Sequence, residues 1–332
     1  MSRQVSIALQ GDKPLARYGE LAALAEGYGF DGVSVYADLG FQPAIGPLIE
    51  VARATSRVRV GPAALNPYLL HPVEIAGQIA QLDAVSNGRA YLGIARGAWL
   101  DTLGVTDDRH LTRLREAVAV VRHLLSGQED GYTGEVYRLP VGRLFRYPVL
   151  RPAVPILIGA WGPKMLAVAG EIADEVKVGG STNPDLVGEI RRRLAVGEER
   201  AGRLPGSVAV CFGAVTVVDE DGQRARAYVR REAARYLPVV APMDPTVAIP
   251  EATLMEIQRL VDADRLDDAA MLVPDDLLDR FAFAGTPEQV VTQAERLFTA
   301  GVDRIEFGTP HGLTEDGGLR LLGERVLPAL RR

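Results

Sequence analysis

VPILIGAWGPKMLAVAGEIADEVKVGGS, residues 154–181, is the stretch of this 332-residue chain that decides the fold. The apolar run at 156–158 is short enough for a strand that is buried on both faces. Pro163 suits the first turn of a helix, and a second strand then ends in another glycine turn. The order of strand, glycine turn, helix, strand and glycine turn predicts two loops side by side at one end of a parallel sheet.

Both glycine turns are rich in accessible backbone. Gly179, Gly180 and Ser181 leave N–H groups that can point at an anion, close to the helix start predicted after Asn183 and Pro184. Each turn by itself is more typical of a tight connection in an α/β fold. Two such turns in succession indicate a site for a phosphate group or a flat ring.

Strand-like and helix-like segments alternate along the whole chain. The predicted strands are 5–9, 32–36, 58–62, 90–95, 156–158, the strand ending at 179, 208–218 and 304–307. This order, without a hairpin signal between strands, predicts an α/β protein of the (β/α)8 TIM barrel class. A doubly wound open sheet is the alternative, but it normally has a Gly-x-Gly-x-x-Gly turn after the first strand, where this chain has Gly11-Asp12-Lys13-Pro14.

One long segment interrupts the alternation. Residues 237–282 carry several prolines and are too long for a plain connection. We interpret them as an insertion after strand 7 that lies over the barrel mouth, within a single domain spanning 1–332; a surface excursion is the alternative. Residues 127–151 are a second departure and predict a small strand or loop before the fifth barrel strand.

Composition excludes several classes of protein. The hydrophobic share of 47% and the charged share of 24% are ordinary for a soluble protein with a large core. The net charge of -6 argues against nucleic acid as a partner. No apolar segment approaches the roughly 20 residues of a membrane helix, and the first residues lack a signal-peptide pattern. Cys211 is the only cysteine, so we expect no disulfide and no metal centre, and a cytoplasmic location.

Several further motifs together carry a family resemblance over nearly the whole chain. They are 61–68 (GPAALNPY), 71–72, 82–83, 86–89 (SNGR), 92–97 (LGIARG), 159–173, 283–287 (FAGTP), 300–303 (AGVD) and 321–324 (LLGE). In order and spacing the chain resembles the luciferase-like barrel superfamily, and within it the methylenetetrahydromethanopterin reductase branch, which uses the deazaflavin coenzyme F420. The resemblance implies transfer of a hydride between coenzyme F420 and an electrophilic carbon of a small-molecule substrate.

The resemblance also implies which residues form the coenzyme site. It places a cis peptide bond between Ala63 and Ala64 behind the coenzyme ring, and Asp38 against the coenzyme as the candidate catalytic group. The other coenzyme-binding residues that it implies are Asn66, Arg96, Gly97, Ala160, Trp161, Gly162, Lys164, Met165, Gly179, Gly180 and Ser181. Without the resemblance, Trp161 is equally consistent with rim packing and Lys164 with a solvated charge.

Proton chemistry is where the sequence departs from this family. In relatives the position of Ala8 carries an acidic residue, the position of Leu39 a histidine and the position of Ala98 an acidic residue. None of the three side chains present here can act as a general acid or base. Asp38, Asp101 and Tyr68 remain as candidate proton handlers. We therefore expect a reductase acting on a pterin or folate methylene, an imine or a carbonyl, rather than an alcohol or sugar-phosphate dehydrogenase.

Two other functions stay open, and the histidines decide little between them. One is a monooxygenase of the same superfamily with FMN as coenzyme; the other is a barrel that binds a coenzyme without catalysis. His311 follows the eighth strand, so it is predicted to face the mouth, where it binds a phosphate or carboxylate or has a structural role. His71 is predicted to cap or pack at a helix start. Pairing of relatives through barrel helices implies a homodimer.

Overall fold

The computed structural model describes residues 3–97, 100–106 and 109–331. Eight parallel strands form a barrel in the order in which they occur along the chain. These strands are β1 (Gln4–Leu9), β2 (Gly32–Tyr36), β3 (Arg59–Ala63), β4 (Leu92–Ile94), β7 (Ile156–Gly159), β8 (Glu175–Gly179), β9 (Ala209–Val218) and β11 (Arg304–His311). Three further strands are not among these eight. They are β5 (Tyr132–Thr133) and β6 (Arg138–Leu139), which form a two-stranded antiparallel hairpin, and β10 (Phe283–Gly285).

Backbone pairing continues around the whole cylinder. The sheet runs β3-β2-β1-β11-β9-β8-β7-β4, and parallel bridges between Val60 and Ala90 and between Leu65 and Ile94 join β3 to β4. This closure removes the open edges that a doubly wound sheet would have. The predicted TIM barrel is therefore confirmed.

Helices cover the outside of the barrel. They are α1 (Leu15–Tyr28), α2 (Ile45–Ala54), α3 (Pro72–Val85), α4 (His110–Leu125), α5 (Pro163–Ile172), α6 (Val187–Arg200), α7 (Gly222–Val240), α8 (Glu251–Asp262), α9 (Leu266–Met271), α10 (Asp275–Phe281), α11 (Pro287–Ala300), α12 (Glu315–Leu321) and α13 (Leu327–Leu330), with a π-helical turn at Leu322–Val326 between the last two. Each barrel strand buries apolar side chains against this layer, as the near-continuous hydrophobic runs predict. Within the described residues no helix is long and apolar enough to cross a bilayer.

The chain after β9 forms a second, smaller core. Helices α7 to α10 and β10 pack around Val229, Leu237, Ile257, Leu278 and Phe281, apart from the main barrel core. Helix α7 continues to Val240, so its last residues lie within the segment 237–282 that the sequence predicts as an insertion. β10 pairs in parallel with the last residues of β9, so this small unit is attached to the barrel through backbone hydrogen bonds.

Helix α11 is the barrel helix that connects β9 to β11, together with the insertion before it. Our sequence analysis did not predict this helix. Thr286 caps its start: the hydroxyl accepts from Gln289 N, and the Gln289 side chain accepts from Thr286 N, which is a complete capping box. Gly301 ends the helix with a φ of 104°. The spacing of Thr286, Pro287 and Gln289 is a helix-start signal that would have found it.

Candidate active site

The sequence-predicted site residues lie at the carboxyl ends of β2, β3, β4, β7 and β8, in the loops that follow these strands, or in the first turn of α5. The carboxyl ends of these strands meet at one rim of the barrel. Hydrogen bonds and packing connect these loops in neighbouring pairs. The barrel closure therefore brings together residues that are far apart in sequence, and we call this rim the mouth.

The loops after β1 and β2 are joined through the candidate catalytic residue. Gln10 Nε2 donates to Asp38 Oδ2 at 3.1 Å. Burial raises the pKa of Asp38 above its ordinary value, although the Gln10 amide and the positive charge of Lys177 act in the opposite direction. A partly buried carboxyl with a raised pKa at the mouth has the character of a group that can hold or release a proton.

The loops after β3 and β4 meet at Asn66. The peptide bond between Ala63 and Ala64 is cis, which confirms the geometry that the family resemblance implies. Asn66 is buried and accepts from Tyr68 N at 2.8 Å, and its amide nitrogen lies against Gly97, whose φ is 83°. Arg96 is exposed beside it, so its guanidinium is available to an anionic ligand.

The loops after β7 and β8 are linked by the indole of Trp161. Trp161 Nε1 donates to Gly179 O at 2.9 Å, and Ala160 N donates to Lys177 O at 3.1 Å. A side chain added at Gly179 or at Gly162 would meet nothing within 4 Å. The backbone here borders open space, which is the property that a ring or phosphate site requires.

The remaining predicted residues differ in how they face the mouth. Lys164 is exposed in the first turn of α5, and Met165 is half-buried against the core. Gly180 has a φ of 76°, and its N–H donates to Gly213 O at 2.6 Å. Ser181 is fully buried; its hydroxyl accepts from Asn183 N at 3.2 Å and donates to Arg280 O at 3.5 Å. The Ser181 side chain thus holds the loop against the insertion.

Three sequence expectations about nearby side chains have different outcomes. His311, predicted to face the mouth, is instead fully buried, and its Nε2 lies 3.2 Å from Phe307 O. Burial lowers the pKa of this imidazole to about 4, so it is neutral at physiological pH, and of the two expected roles the structure favours the structural one over binding of a phosphate or carboxylate. His71 does cap a helix, because its Nδ1 accepts from Val73 N at 3.2 Å. Ala98 lies outside the described residues.

A buried ion-pair network fills the barrel below the mouth, and our sequence analysis missed it. Lys177 on β8 pairs with Glu306 on β11, and Glu306 also accepts from Ser34 on β2. Arg304 contacts Glu306 at 3.0 Å and Glu175 at 2.6 Å. Side chains from β2, β8 and β11 can meet in this way only in the interior of a closed barrel.

Charge complementarity keeps the Glu306 carboxyl ionised. Burial by itself would raise the pKa of Glu306, but the charges of Lys177 and Arg304 and the hydrogen bonds from Lys177 and Ser34 lower it to about 2. Burial raises the pKa of the nearby Cys211 thiol to about 12, so this cysteine is an inert core group. Among the described residues no group of histidine, cysteine or acidic side chains is arranged to hold a metal ion.

Comparison with known proteins gives a consistent result over the full length of the chain. The family model described as luciferase-like monooxygenase matches residues 2–304. A 5,10-methylenetetrahydromethanopterin reductase of Archaeoglobus fulgidus is 30% identical, over 96% of this chain and 98% of its own. An F420-dependent glucose-6-phosphate dehydrogenase of Nakamurella multipartita is also 30% identical, over 94% of this chain and 91% of its own.

A solved structure agrees with these relatives. The coenzyme F420-dependent tetrahydromethanopterin reductase from Methanopyrus kandleri superimposes with a TM-score of 0.88 at 26% identity, covering 99% of this chain and 100% of that one. An F420-dependent secondary alcohol dehydrogenase, with a TM-score of 0.81 at 21% identity, shares the fold.

Proposed function

The chain belongs to the luciferase-like monooxygenase family, and on that premise we propose that it is a coenzyme F420-dependent oxidoreductase. The proposed reaction is transfer of a hydride between the deazaflavin and an electrophilic carbon. The observation that carries the proposal is the nearly full-length similarity to a glucose-6-phosphate dehydrogenase and a tetrahydromethanopterin reductase, whose names share this one coenzyme while their substrates differ. The feature that enzymes with such different substrates have in common is the site for the coenzyme.

We propose that the mouth residues hold the coenzyme in two groups. Ala63, Ala64 and Asn66 form the surface behind the ring, and Asp38 lies beside it. The residues proposed to bind the rest of the coenzyme are Arg96, Gly97, Ala160, Trp161, Gly162, Lys164, Met165, Gly179, Gly180 and Ser181. The open space beside Gly162 and Gly179 supports this assignment, since main-chain atoms there are accessible to a ligand.

The bound deazaflavin would supply the hydride, and the protein would supply position and exclusion of water. The small side chains of Ala63 and Ala64 allow a flat ring to approach the backbone closely. Asp38 is proposed to exchange a proton with the substrate when the accepting group is a neutral carbonyl or imine. Relatives named as reductases support the reductive direction and a substrate with a methylene, imine or carbonyl carbon.

The proposal extends to the insertion and to assembly. Residues 237–282 are proposed to cover the coenzyme site as a lid. Val240, at the end of α7, supports this, because its Cγ1 would lie 3.3 Å from a Cβ built at Gly180. We further propose a cytoplasmic homodimer that pairs through barrel helices. Light scattering during gel filtration measures the mass of the assembly directly, and a mass of one chain would contradict the dimer.

Titration of the purified protein with oxidised coenzyme F420 and, separately, with FMN tests the proposed function. We expect saturable binding of F420 and much weaker binding of FMN. Ala64→Trp, with a bulky ring on the surface proposed to back the coenzyme, is expected to abolish F420 binding. Ala201→Trp is the matched control, because Ala201 is exposed at the end of α6.

The same titration separates the alternatives. FMN-dependent consumption of oxygen, with no binding of F420, would replace the proposal with a monooxygenase. Unchanged F420 binding by Ala64→Trp would show that the ring lies elsewhere. Tight F420 binding without oxidation of the reduced coenzyme by any carbonyl, imine or iminium compound would favour a non-catalytic carrier.

A further inference from the structure

Tyr36 lies where the sealed interior of the barrel meets the open mouth. Alternation along β2 puts Tyr36 on the same inward face as Ser34, whose hydroxyl donates to Glu306 in the buried network. Ser34 is 1% exposed, whereas Tyr36, two residues nearer the mouth, is only half-buried. The phenol is therefore the first inward side chain of β2 that a ligand entering through the mouth can contact.

The Tyr36 side chain reaches across the barrel to β11. A Cβ built at Gly308 would stand 2.6 Å from the Tyr36 hydroxyl and 2.7 Å from Ala214 O, so the hydroxyl lies close to the backbone of β11. β1 lies between β2 and β11 in the sheet, and its residue in register with Gly308 is Ala8. The small residues at positions 8 and 308 leave the room in which the phenol crosses the barrel.

The Tyr36 hydroxyl has a donor that the protein does not use. It makes no hydrogen bond to any residue that the structure describes, and solvent reaches it, unlike Arg304 Nη2 and His311 Nδ1, which are enclosed and unpaired. The hydroxyl also keeps its hydrogen, because burial and the negative charges of Glu306 and Asp38 raise the pKa of Tyr36 well above its ordinary value. Tyr36 is thus a neutral phenol with a hydrogen available to a ligand.

The phenol is held in place next to the surface proposed to back the coenzyme ring. The register partner of Tyr36 on β3 is Ala63, the first residue of the cis peptide bond. Lys177, which is paired with Glu306, has its Nζ 4.9 Å from the centre of the phenol ring, a cation–π contact. The ring is therefore fixed by the barrel, while its hydroxyl remains free to pair with a ligand.

A polar group without a partner in the free protein contributes nothing to stability, and such groups are typical of functional sites, where a ligand supplies the partner. The flat ring of a deazaflavin has carbonyl oxygens on its pyrimidine edge, and their lone pairs can accept from a phenol. Building on the proposed function, we propose that the Tyr36 hydroxyl binds the coenzyme ring by donating a hydrogen bond to one of these carbonyl oxygens. This pairing would orient the ring with its carbonyl edge towards the barrel interior.

Tyr36→Phe removes the hydroxyl and keeps the aromatic ring. We expect oxidised F420 to bind about five- to tenfold more weakly in a fluorescence titration, because one hydrogen bond to the ring is lost. The free variant should unfold at the same temperature as wild type or at a higher one, because no hydrogen bond within the protein is lost. Unchanged affinity would overturn the proposal, and so would a lower unfolding temperature of the free variant, which would reveal a structural partner.

Tyr91→Phe is the matched control, with the opposite expected result. The Tyr91 hydroxyl donates to Ser34 Oγ at 3.0 Å, and Tyr91 is buried. Its removal breaks a hydrogen bond within the protein, so we expect the free variant to unfold at a lower temperature while its affinity for F420 is unchanged. Equal losses of affinity in Tyr91→Phe and Tyr36→Phe would indicate a general disturbance of the barrel interior and overturn the role of Tyr36.

A smaller probe locates the partner within the coenzyme. The deazaflavin ring with its ribityl chain, without the phosphate and the tail beyond it, keeps the carbonyl edge. We expect Tyr36→Phe to weaken binding of this probe by the same factor by which it weakens binding of F420. A loss confined to the complete coenzyme would place the partner in the tail and overturn the assignment to the ring.

Failure of the inference is distinct from failure of the proposed function. Wild-type protein that binds no F420 would overturn the proposed function and, with it, the role of Tyr36. Wild-type protein that binds F420 with the same affinity as Tyr36→Phe would overturn only the role of Tyr36.

Discussion

The Asn66 amide occupies the space that any side chain at position 97 would need. Gly97 has a φ of 83°, and a Cβ built there would overlap the Asn66 amide nitrogen. Asn66 is in turn fixed by accepting a hydrogen bond from Tyr68 N at 2.8 Å. The loops after β3 and β4 therefore fit together only with glycine at position 97.

We expect Gly97→Ala to weaken F420 binding by about tenfold or more, since displacement of Asn66 alters the surface proposed to hold the ring. The substitution should also destabilise the fold by about 1–3 kcal/mol through backbone strain and the clash. Gly127→Ala is the control, because its φ of 71° gives similar strain in open space. Fluorescence titration and urea unfolding measure both effects; equal losses of affinity in the two variants would contradict the role of Asn66.

Trp161→Phe tests the link between the loops after β7 and β8. The phenyl ring preserves packing but cannot donate to Gly179 O, which accepts from the indole at 2.9 Å. We expect a loss of stability of about 0.5–1.5 kcal/mol and a several-fold weaker affinity for F420. Calorimetric unfolding and coenzyme titration measure the two quantities. A normal affinity in a destabilised variant would mean that the loops do not act together on the coenzyme.

A pH-dependent contribution to stability is expected from Glu26 at the end of α1. Its carboxylate accepts from Ser56 N, Arg57 N and Val58 N, which ties α1 to the start of β3. Burial opposes ionisation, but these backbone hydrogen bonds lower the pKa of Glu26 to about 2 from an ordinary value of 4.5. Because the folded-state pKa is lowered, the stabilisation is present above pH 4.5 and is lost as the pH falls towards 2.

Glu26→Gln is therefore expected to unfold more easily at pH 7 by about 1–3 kcal/mol. The difference from wild type should shrink once the pH drops below 4.5. Glu20→Gln, on the exposed side of the same helix with a side chain 63% accessible, should have little effect at either pH. Chemical unfolding across this pH range gives the comparison, and a pH-independent difference would refute the ionic origin.

The barrel could be predicted from the sequence because each strand carries a local signal. In the sequence, a buried parallel strand is recognised as a short apolar run, and glycine or proline marks its end. The boundaries moved by a few residues at most, except that β11 extends from Arg304 to His311 through a register shift beyond Gly308. The unpredicted helix α11 follows the segment 237–282, whose prolines interrupt the alternating pattern of strands and helices.

The charged interior could not be predicted in the same way. Lys177 and Glu306 are 129 positions apart, and each lies between two apolar residues, with one more charged residue two positions before it in the same strand. Charges in a strand are usually explained by solvent exposure, and only barrel closure shows that Lys177 and Glu306 point at each other. The loop residues of the mouth, in contrast, came from the family resemblance and, for the two glycine turns, from local turn motifs; their role in binding a coenzyme stays a prediction.

Asn183 attaches the proposed lid to the loop after β8. Asn183 Nδ2 donates to Asp244 Oδ2 at 2.8 Å and to Thr246 Oγ1 at 2.7 Å, and Asn183 Oδ1 accepts from Arg280 Nη1 at 2.9 Å. One buried side chain thus connects the loop after β8 to two parts of the insertion. Removing it frees the insertion and leaves the buried Asp244 without this partner.

For Asn183→Ala we expect faster amide hydrogen exchange at 241–247 and a higher dissociation rate of F420, measured by mass spectrometry and by stopped-flow fluorescence. Saturating F420 should slow exchange in the same segment of wild-type protein, since a closed lid protects its backbone. Asp185→Ala is the control, because this exposed residue contacts Arg280 but not residues 244–246. Faster exchange without faster release of coenzyme would show that the insertion is tethered at Asn183 but does not close over the site.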